Sequence, residues 1–164
     1  MRILGIDPGL ATMGYGVIEA QAGRMKLIAA GAVITKPDQK TPDRLCSIRR
    51  DVHDLLLAYK PDEIVFEELF FAKNITTAMN VSAARGVALC TCAEYTDKLY
   101  EYTPMQIKQA VVGYGKADKH QVQHMVKMIL GLEKVISPDD AADAVAAAIT
   151  HANTGYSKEQ FRMK

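Results

Sequence analysis

The sequence has little that would tie it to a membrane, a disulfide framework or a zinc site. No apolar run approaches the ~18 residues that a membrane span requires. No secretory signal opens the chain, so a cytoplasmic protein with no membrane partner is the expectation. Cysteine is scarce, with Cys46, Cys90 and Cys92 the three present. An odd count without paired spacing argues against both a disulfide framework and structural zinc. Cys90 and Cys92 stand two apart in a helical stretch and so face different directions, and the thiols are read as plain buried groups. Net charge is nearly absent too, at +1, which by itself neither supports nor excludes a polyanionic partner.

What remains is the composition of an ordinary globular domain, 49% hydrophobic and 24% charged over 164 residues. That length suits one domain with a substantial core. The domain is expected over residues 1–156, and 157–164 read as a short basic tail, a kind of terminus that is commonly loose. Basic charge is concentrated in two places. Lys108, Lys116, Lys119 and Lys127 face the single acid Asp118 between positions 104 and 127, and the tail carries Lys158, Arg162 and Lys164 against Glu159. Basic stretches beside spare carboxylates are what a metal-dependent enzyme acting on phosphodiesters needs, although a solvated basic face would read the same way.

The first ten residues, MRILGIDPGL, organise the rest. Ile3, Leu4 and Ile6 form a buried strand that ends on Asp7, and Pro8-Gly9 turns the chain at once. A carboxylate at the mouth of a buried strand is costly unless something pairs with it. Strands are expected over 14–20 and 25–35, joined by a turn at Gly23 into an antiparallel meander. A helix follows from Thr41, with threonine as N-cap and Pro42 in its first turn. Its stripe is Leu45, Ile48, Val52, Leu55, Leu56 and Tyr59, and Lys60-Pro61 closes it. A fourth strand over 62–69 lies beyond this crossover and so runs parallel to the first. Parallel strands end on the same side of a sheet, which brings Asp7 and one of Glu67 and Glu68 to one edge. An aromatic loop at 70–74, an alanine-rich helix over 75–96 interrupted at Gly86, and a short strand over 99–103 follow. The remainder reads as helices at 104–112 and 118–130, the latter opened by an Asp118/Gln121 capping box, and a last one begun by Ser137-Pro138. The order implies a mixed five-stranded α/β sheet flanked by helices.

Four acids stand in odd places: Asp7, Glu67 or Glu68, Asp139 or Asp140, and Asp143. Asp143 shares a helix face with either Asp139 or Asp140. Carboxylates from three separate elements repel one another and raise each other's pKa values, and a pair of divalent cations resolves the conflict. Oxygen-only ligands point to Mg²⁺ or Mn²⁺, and two such ions suit in-line displacement at phosphorus. Taken singly, each acid also reads as a cap, a turn residue or a solvated group. His120 and His124 have the i,i+4 spacing of a metal pair, but the lysines around them suit phosphate better.

With these residues in view, the chain resembles the RuvC family of bacterial Holliday-junction resolvases, within the RNase H-like nuclease superfamily. The resemblance is carried by GIDPG and GYG (5–9, 14–16), EELFFAKN (67–74), ARG (84–86), KQAVVGYGKADKHQVQHMV (108–126) and DDAADAVAAAITH (139–151). These cover most of the chain in the family's order. The resemblance implies an RNase H-like domain with Asp7, Glu67, Asp140 and Asp143 as catalytic carboxylates holding two Mg²⁺ ions, or Mn²⁺. It implies Lys108 and Lys119 near the scissile phosphate and Phe70 stacking on bases at the junction centre, a type of contact worth ~1–3 kcal/mol. Lys73, Arg85 and Lys116 are the further expected DNA contacts. It also implies a four-way DNA junction as substrate, a homodimer to place two nicks symmetrically, and the branch-migration proteins RuvA and RuvB as partners. An RNase H acting on RNA–DNA hybrids and a non-catalytic junction-binding module are the alternatives. The chain is too short for the paired domains of an actin-like ATPase.

Overall fold

Period-two alternation of apolar residues builds the first three strands, β1 (Arg2–Asp7), β2 (Thr12–Gln21) and β3 (Arg24–Ile34), into the expected antiparallel meander. The β2–β3 hairpin turns on Ala22 and Gly23, both at positive φ, as a tight two-residue hairpin demands. Helix α1 (Thr41–Tyr59) then crosses to β4 (Glu63–Glu67), which lies parallel to β1, and helix α2 (Ile75–Tyr95) crosses to β5 (Leu99–Tyr102), parallel to β4. The strand order is β3-β2-β1-β4-β5. Helices α3 (Pro104–Val112), α4 (Lys119–Ile129) and α5 (Asp139–Thr154) and a closing 3₁₀ turn (Gly155–Phe161) complete the chain. The structure, a computed structural model, describes residues 1–69 and 75–164. The expected 70–74 loop, with Phe70 and Lys73, lies outside the described residues.

Alternation along the buried strands makes two cores. Leu4, Ile6, Val17, Ile64 and Phe66 meet Ile48, Val52 and Leu56 of α1 and Ala84, Ala88 and Cys92 of α2 on one face. On the other face Ile3, Ile18, Val65, Tyr100 and Tyr102 meet α3, α4 and above all α5. Ten of the eleven residues from Ala141 to His151 in α5 are buried, Asp143 being the exception, and the helix lies directly on strand backbone. A Cβ at Gly5 would overlap the carbonyl of Ala144, one at Gly14 the carbonyl of Asp140, and one at Gly16 the side chain of Val145. Glycine on the strands and alanine on the helix are therefore a matched pair, and together they set the height of α5 above the sheet.

Local details differ from the sequence expectations for identifiable reasons. Thr41 is the first helical residue of α1 rather than its cap; Lys40 holds that place without a side-chain bond. Pro138, not Ser137, precedes α5, and its carbonyl accepts from the N–H of Ala141. Gly86 does not interrupt α2, since its solvent-facing position makes no steric demand. Cys46 and Cys90 are exposed and only Cys92 is buried, its thiol pushed up to about 12 by burial. The basic terminus folds back instead of trailing as a loose tail: Met163 N–H donates to Leu99, Arg162 pairs with Asp97 at 2.7 Å, and Lys158 donates to Glu63. A second capping box, Thr103 with Gln106, opens α3.

The close approach of α5 yields a test. Gly14→Ala is expected to lift the first turn of α5 from β2 and to lower stability by ~1–3 kcal/mol, the usual cost of overpacking. Thermal unfolding measures this, and a wild-type midpoint would mean that the helix does not rest on that strand.

Candidate active site

Three elements deliver the acids to one edge. On β1, residues Ile3, Gly5 and Asp7 point to the α5 face, and on β4 so do Glu63, Val65 and Glu67. The parallel register pairs Ile6 with Phe66, so Asp7 and Glu67 leave their strands side by side. Asp7 is also paired with Gly14 of β2, and Gly14 lies directly beneath the main chain of Asp140. The first turn of α5 thus overhangs the end of β1, with Asp143 one turn further along. Glu68 takes the other direction. It is exposed and borders a small cleft of about 300 Å³ on the α2 face with Leu69, Ser82, Arg85, Gly86 and Glu101.

The electrostatics record this crowding. Burial, then the charges of Glu67, Asp143 and Asp140, push Asp7 up to about 8, with Lys119 only partly opposing. Burial and Asp143 push Glu67 up to about 7, against Lys108 and Lys119. Asp143 lies above the usual carboxylate range because burial outweighs its bond from Lys119. Lys119 stands at the start of α4, after the Asp118/Gln121 capping box. Its ammonium is 3.1 Å from Asp143 Oδ2 and 3.6 Å from Asp139 Oδ2. Burial alone would lower its pKa, but Asp143, Asp139 and Asp140 outweigh that and keep it charged.

Asp139 and Asp140 therefore have different surroundings. Asp140 is the one whose charge reaches Asp7, whereas Asp139 turns to α4, where its Oδ1 accepts from Gln123 Nε2 at 2.7 Å. Gln123, buried among valines of α4, was not singled out from the sequence; a glutamine on an otherwise apolar face was the available signal. The donor set of Asp7, Glu67, Asp140 and Asp143 is oxygen only, and burial and mutual repulsion raise the pKa values of Asp7, Glu67 and Asp143, a conflict that a hard divalent cation would relieve. Among the described residues, no three such side chains are gathered tightly enough to grip an ion as they stand. Lys119 is the cation among them.

The remaining expected residues separate. Lys108, half-buried on α3, is near enough to act on Glu67. Lys116 is exposed and borders a largely apolar groove of about 640 Å³, with Tyr102, Met105 and Phe161. Arg85 is not at the acids; it pairs with Glu101 at 2.6 Å on the α2 face and lies 5.9 Å from the Phe66 ring centre. His120 and His124 face solvent. Phe70 and Lys73 lie outside the described residues. A second polar cluster escaped sequence reading altogether: His151, Glu63, Tyr102 and Lys158, of which His151, Glu63 and Tyr102 are buried. None has a local partner in sequence, so spacing gave no signal.

Comparison with known proteins identifies the family and the fold. The family model for crossover junction endodeoxyribonuclease RuvC matches residues 3–151. Crossover junction endodeoxyribonuclease RuvC of Alkaliphilus oremlandii is 51% identical over 164 residues, covering 100% of each chain. A solved structure of Thermus thermophilus RuvC in complex with Holliday junction substrate matches with a TM-score of 0.86 at 34% identity, over 94% of each chain. The yeast mitochondrial Holliday junction resolvase shares the fold, with a TM-score of 0.71 at 13% identity over 98% of this chain and 82% of its own. The expected RNase H-like α/β architecture is thus the observed one. The chain belongs to the RuvC family of crossover junction endodeoxyribonucleases.

Proposed function

We propose that this chain is a structure-selective endodeoxyribonuclease that resolves four-way DNA junctions in recombination and repair, by two symmetric metal-dependent nicks. The observation that carries the reading is the meeting of Asp7, Glu67, Asp140 and Asp143 at one sheet edge, with Lys108 and Lys119 beside them. These four acids would hold two Mg²⁺ ions, with Mn²⁺ a substitute, and the ions when bound supply Lewis acidity to the attacking water and the leaving oxygen. Asp7 and Glu67 must shed their protons to serve as ligands. Lys119 now neutralises Asp143, and a phosphodiester entering the site offers the same ammonium a second anion. Its place in the first turn of α4 adds free backbone amides that favour phosphate. Lys108 supports from α3, while Lys116, Phe70, Lys73 and Arg85 are the proposed further contacts to the junction.

Two symmetric nicks require two sites, hence a homodimer. The exposed small residues Ser82, Ala83 and Gly86, within Ala78 to Ala88 of α2, support this helix as the interface, because small residues let backbones approach closely. RuvA and RuvB are the proposed partners by family likeness. No described helix is long and apolar enough to cross a membrane, and a cytoplasmic setting with the chromosome suits the proposed substrate.

Asp7→Asn is expected to reduce junction cleavage by more than ~10²-fold while leaving junction binding intact, as chelation of the metal should. Gel-based cleavage and binding assays measure the two separately, and wild-type cutting would remove Asp7 from the mechanism. Offered Mg²⁺ with equal four-way junction, plain duplex and RNA–DNA hybrid, the protein should cut the junction first. Preferential cutting of the hybrid would overturn the reading.

The raised carboxylate pKa values fix the sign of two pH effects. Protons compete with metal at Asp7 and Glu67, so the half-saturating Mg²⁺ concentration should fall as pH rises through about 7 and 8. Without metal, the folded state binds more protons than the unfolded one between the ordinary carboxylate range and about 8. Its melting temperature should therefore decline across that interval, and Asp7→Asn, which removes the repelling charge, should flatten the decline.

A further inference from the structure

The buried cluster at the other end of α5 faces the same strand as the acids. His151 Nε2–H donates to Glu63 Oε2 at 2.7 Å, and Nδ1 accepts from the Tyr102 hydroxyl at 2.9 Å. A single neutral tautomer satisfies both bonds, and burial holds the imidazole below its ordinary pKa despite the carboxylate. Burial works against the charge of Glu63, but the bonds from Lys158 and His151 outweigh it and keep the carboxyl below its usual range. His151 is 1% and Glu63 4% exposed.

Placement gives the cluster its meaning. His151 follows Asp143 by eight residues on a helix rising ~1.5 Å per residue, or ~12 Å. Glu63 precedes Glu67 by four residues on a strand rising ~3.3 Å per residue, or ~13 Å. The His151–Glu63 bond and the Asp143–Glu67 approach are thus two rungs of one ladder between α5 and β4. Tyr102, which holds the other imidazole nitrogen, is the residue of β5 paired in register with Glu67. The rest of the contact between α5 and the sheet is alanine and valine on glycine and apolar side chains, which is non-directional and permits sliding. Among the described residues, side-chain hydrogen bonds from α5 to the sheet gather at this one end of the helix, where His151 bonds Glu63 and Tyr102 and Thr154 also meets the Tyr102 hydroxyl.

We propose that His151 is a positioning residue for the nuclease reaction: through Glu63 and Tyr102 it sets where α5 lies along β4, and so how Asp140 and Asp143 stand relative to Glu67. This rests on the carboxylate site proposed above, and extends it to a residue that touches neither metal nor DNA.

The test compares His151→Ala and His151→Gln with Val52→Ala, a core truncation beneath α1 on the opposite face. Junction cleavage gives kcat and KM, and a Mn²⁺ titration followed by electron paramagnetic resonance gives metal binding without any reaction. His151→Ala, assayed well below its melting temperature, should lose ~10–100-fold in kcat with KM for the junction unchanged, and should bind Mn²⁺ several-fold more weakly. His151→Gln, which keeps a donor toward Glu63, should recover most of both. Val52→Ala should melt earlier yet keep kcat and Mn²⁺ binding. A folded His151→Ala with wild-type kcat and Mn²⁺ binding would overturn the proposal. Should that variant not fold, Tyr102→Phe, which deletes one hydroxyl, must weaken Mn²⁺ binding in the same direction, and unaltered binding there overturns it equally. A wild-type protein that binds Mn²⁺ but cuts no junction would sink the resolvase reading and leave the titration to decide the positioning role.

Discussion

Helix α5 rests on strand backbone rather than on strand side chains, and most of the site's geometry descends from that contact. Gly5, Gly14 and Gly16 leave no side chain between the sheet and Ala144, Asp140 and Val145. A helix seated on ordinary strand residues would stand farther off, because their side chains would fill the space where Ala144, Asp140 and Val145 now meet the strands. Here the first turn of α5 instead comes down on the residue paired with Asp7. The same contact buries ten residues of the helix, so the stabilising core and the crowded acids are products of one arrangement and cannot be separated by mutation without cost to both.

That arrangement leaves an electrostatic conflict in the folded protein. Burial and neighbouring acids push Asp7 and Glu67 toward the protonated form, burial, Asp140 and Asp139 do the same to Asp143, and one ammonium, that of Lys119, lies between Asp139 and Asp143. The conflict explains why two adjacent acids begin α5. Asp140 joins the crowd, while Asp139 is tied to Gln123 and Lys119 and steers the lysine toward Asp143. Both also sit in the first turn of α5, where the helix dipole favours negative charge.

Much of this was legible in the sequence where neighbours in sequence are also partners in space. The sequence pattern placed the five strands and the five α-helices but not the closing 3₁₀ turn, and Asp7 at the mouth of a buried strand marked the candidate site. The choice between Glu67 and Glu68 was not legible from β4 alone, because both faces of a buried parallel strand are apolar: Ile64 and Phe66 point one way, Val65 the other. Only the register with β1 decides it. Lys158 and Glu63 are 95 residues apart and His151 and Glu63 are 88 apart, so a polar terminus read as loose, and a histidine in an alanine helix read as nothing. Caps failed differently: Ser137 had the right chemistry, but the chain begins α5 one residue later, where the Pro138 carbonyl does the accepting.

The directional bonds from α5 to the sheet lie at the end away from the acids, and there is a physical reason for that separation. Carboxylates that bind hard cations need their lone pairs free, and a hydrogen-bond donor fixed close by would compete for the same oxygens. Lys119 can act there because a flexible ammonium is able to withdraw, whereas a rigid imidazole held on both nitrogens is not. Two turns away, His151 bonds to Glu63 without drawing on any lone pair of Asp7, Glu67, Asp140 or Asp143. Helix and strand are stiff over ~12 Å, so a position fixed at one end is transmitted to the other. A packed surface of alanine on glycine supplies closeness but no register, and the buried histidine supplies the register.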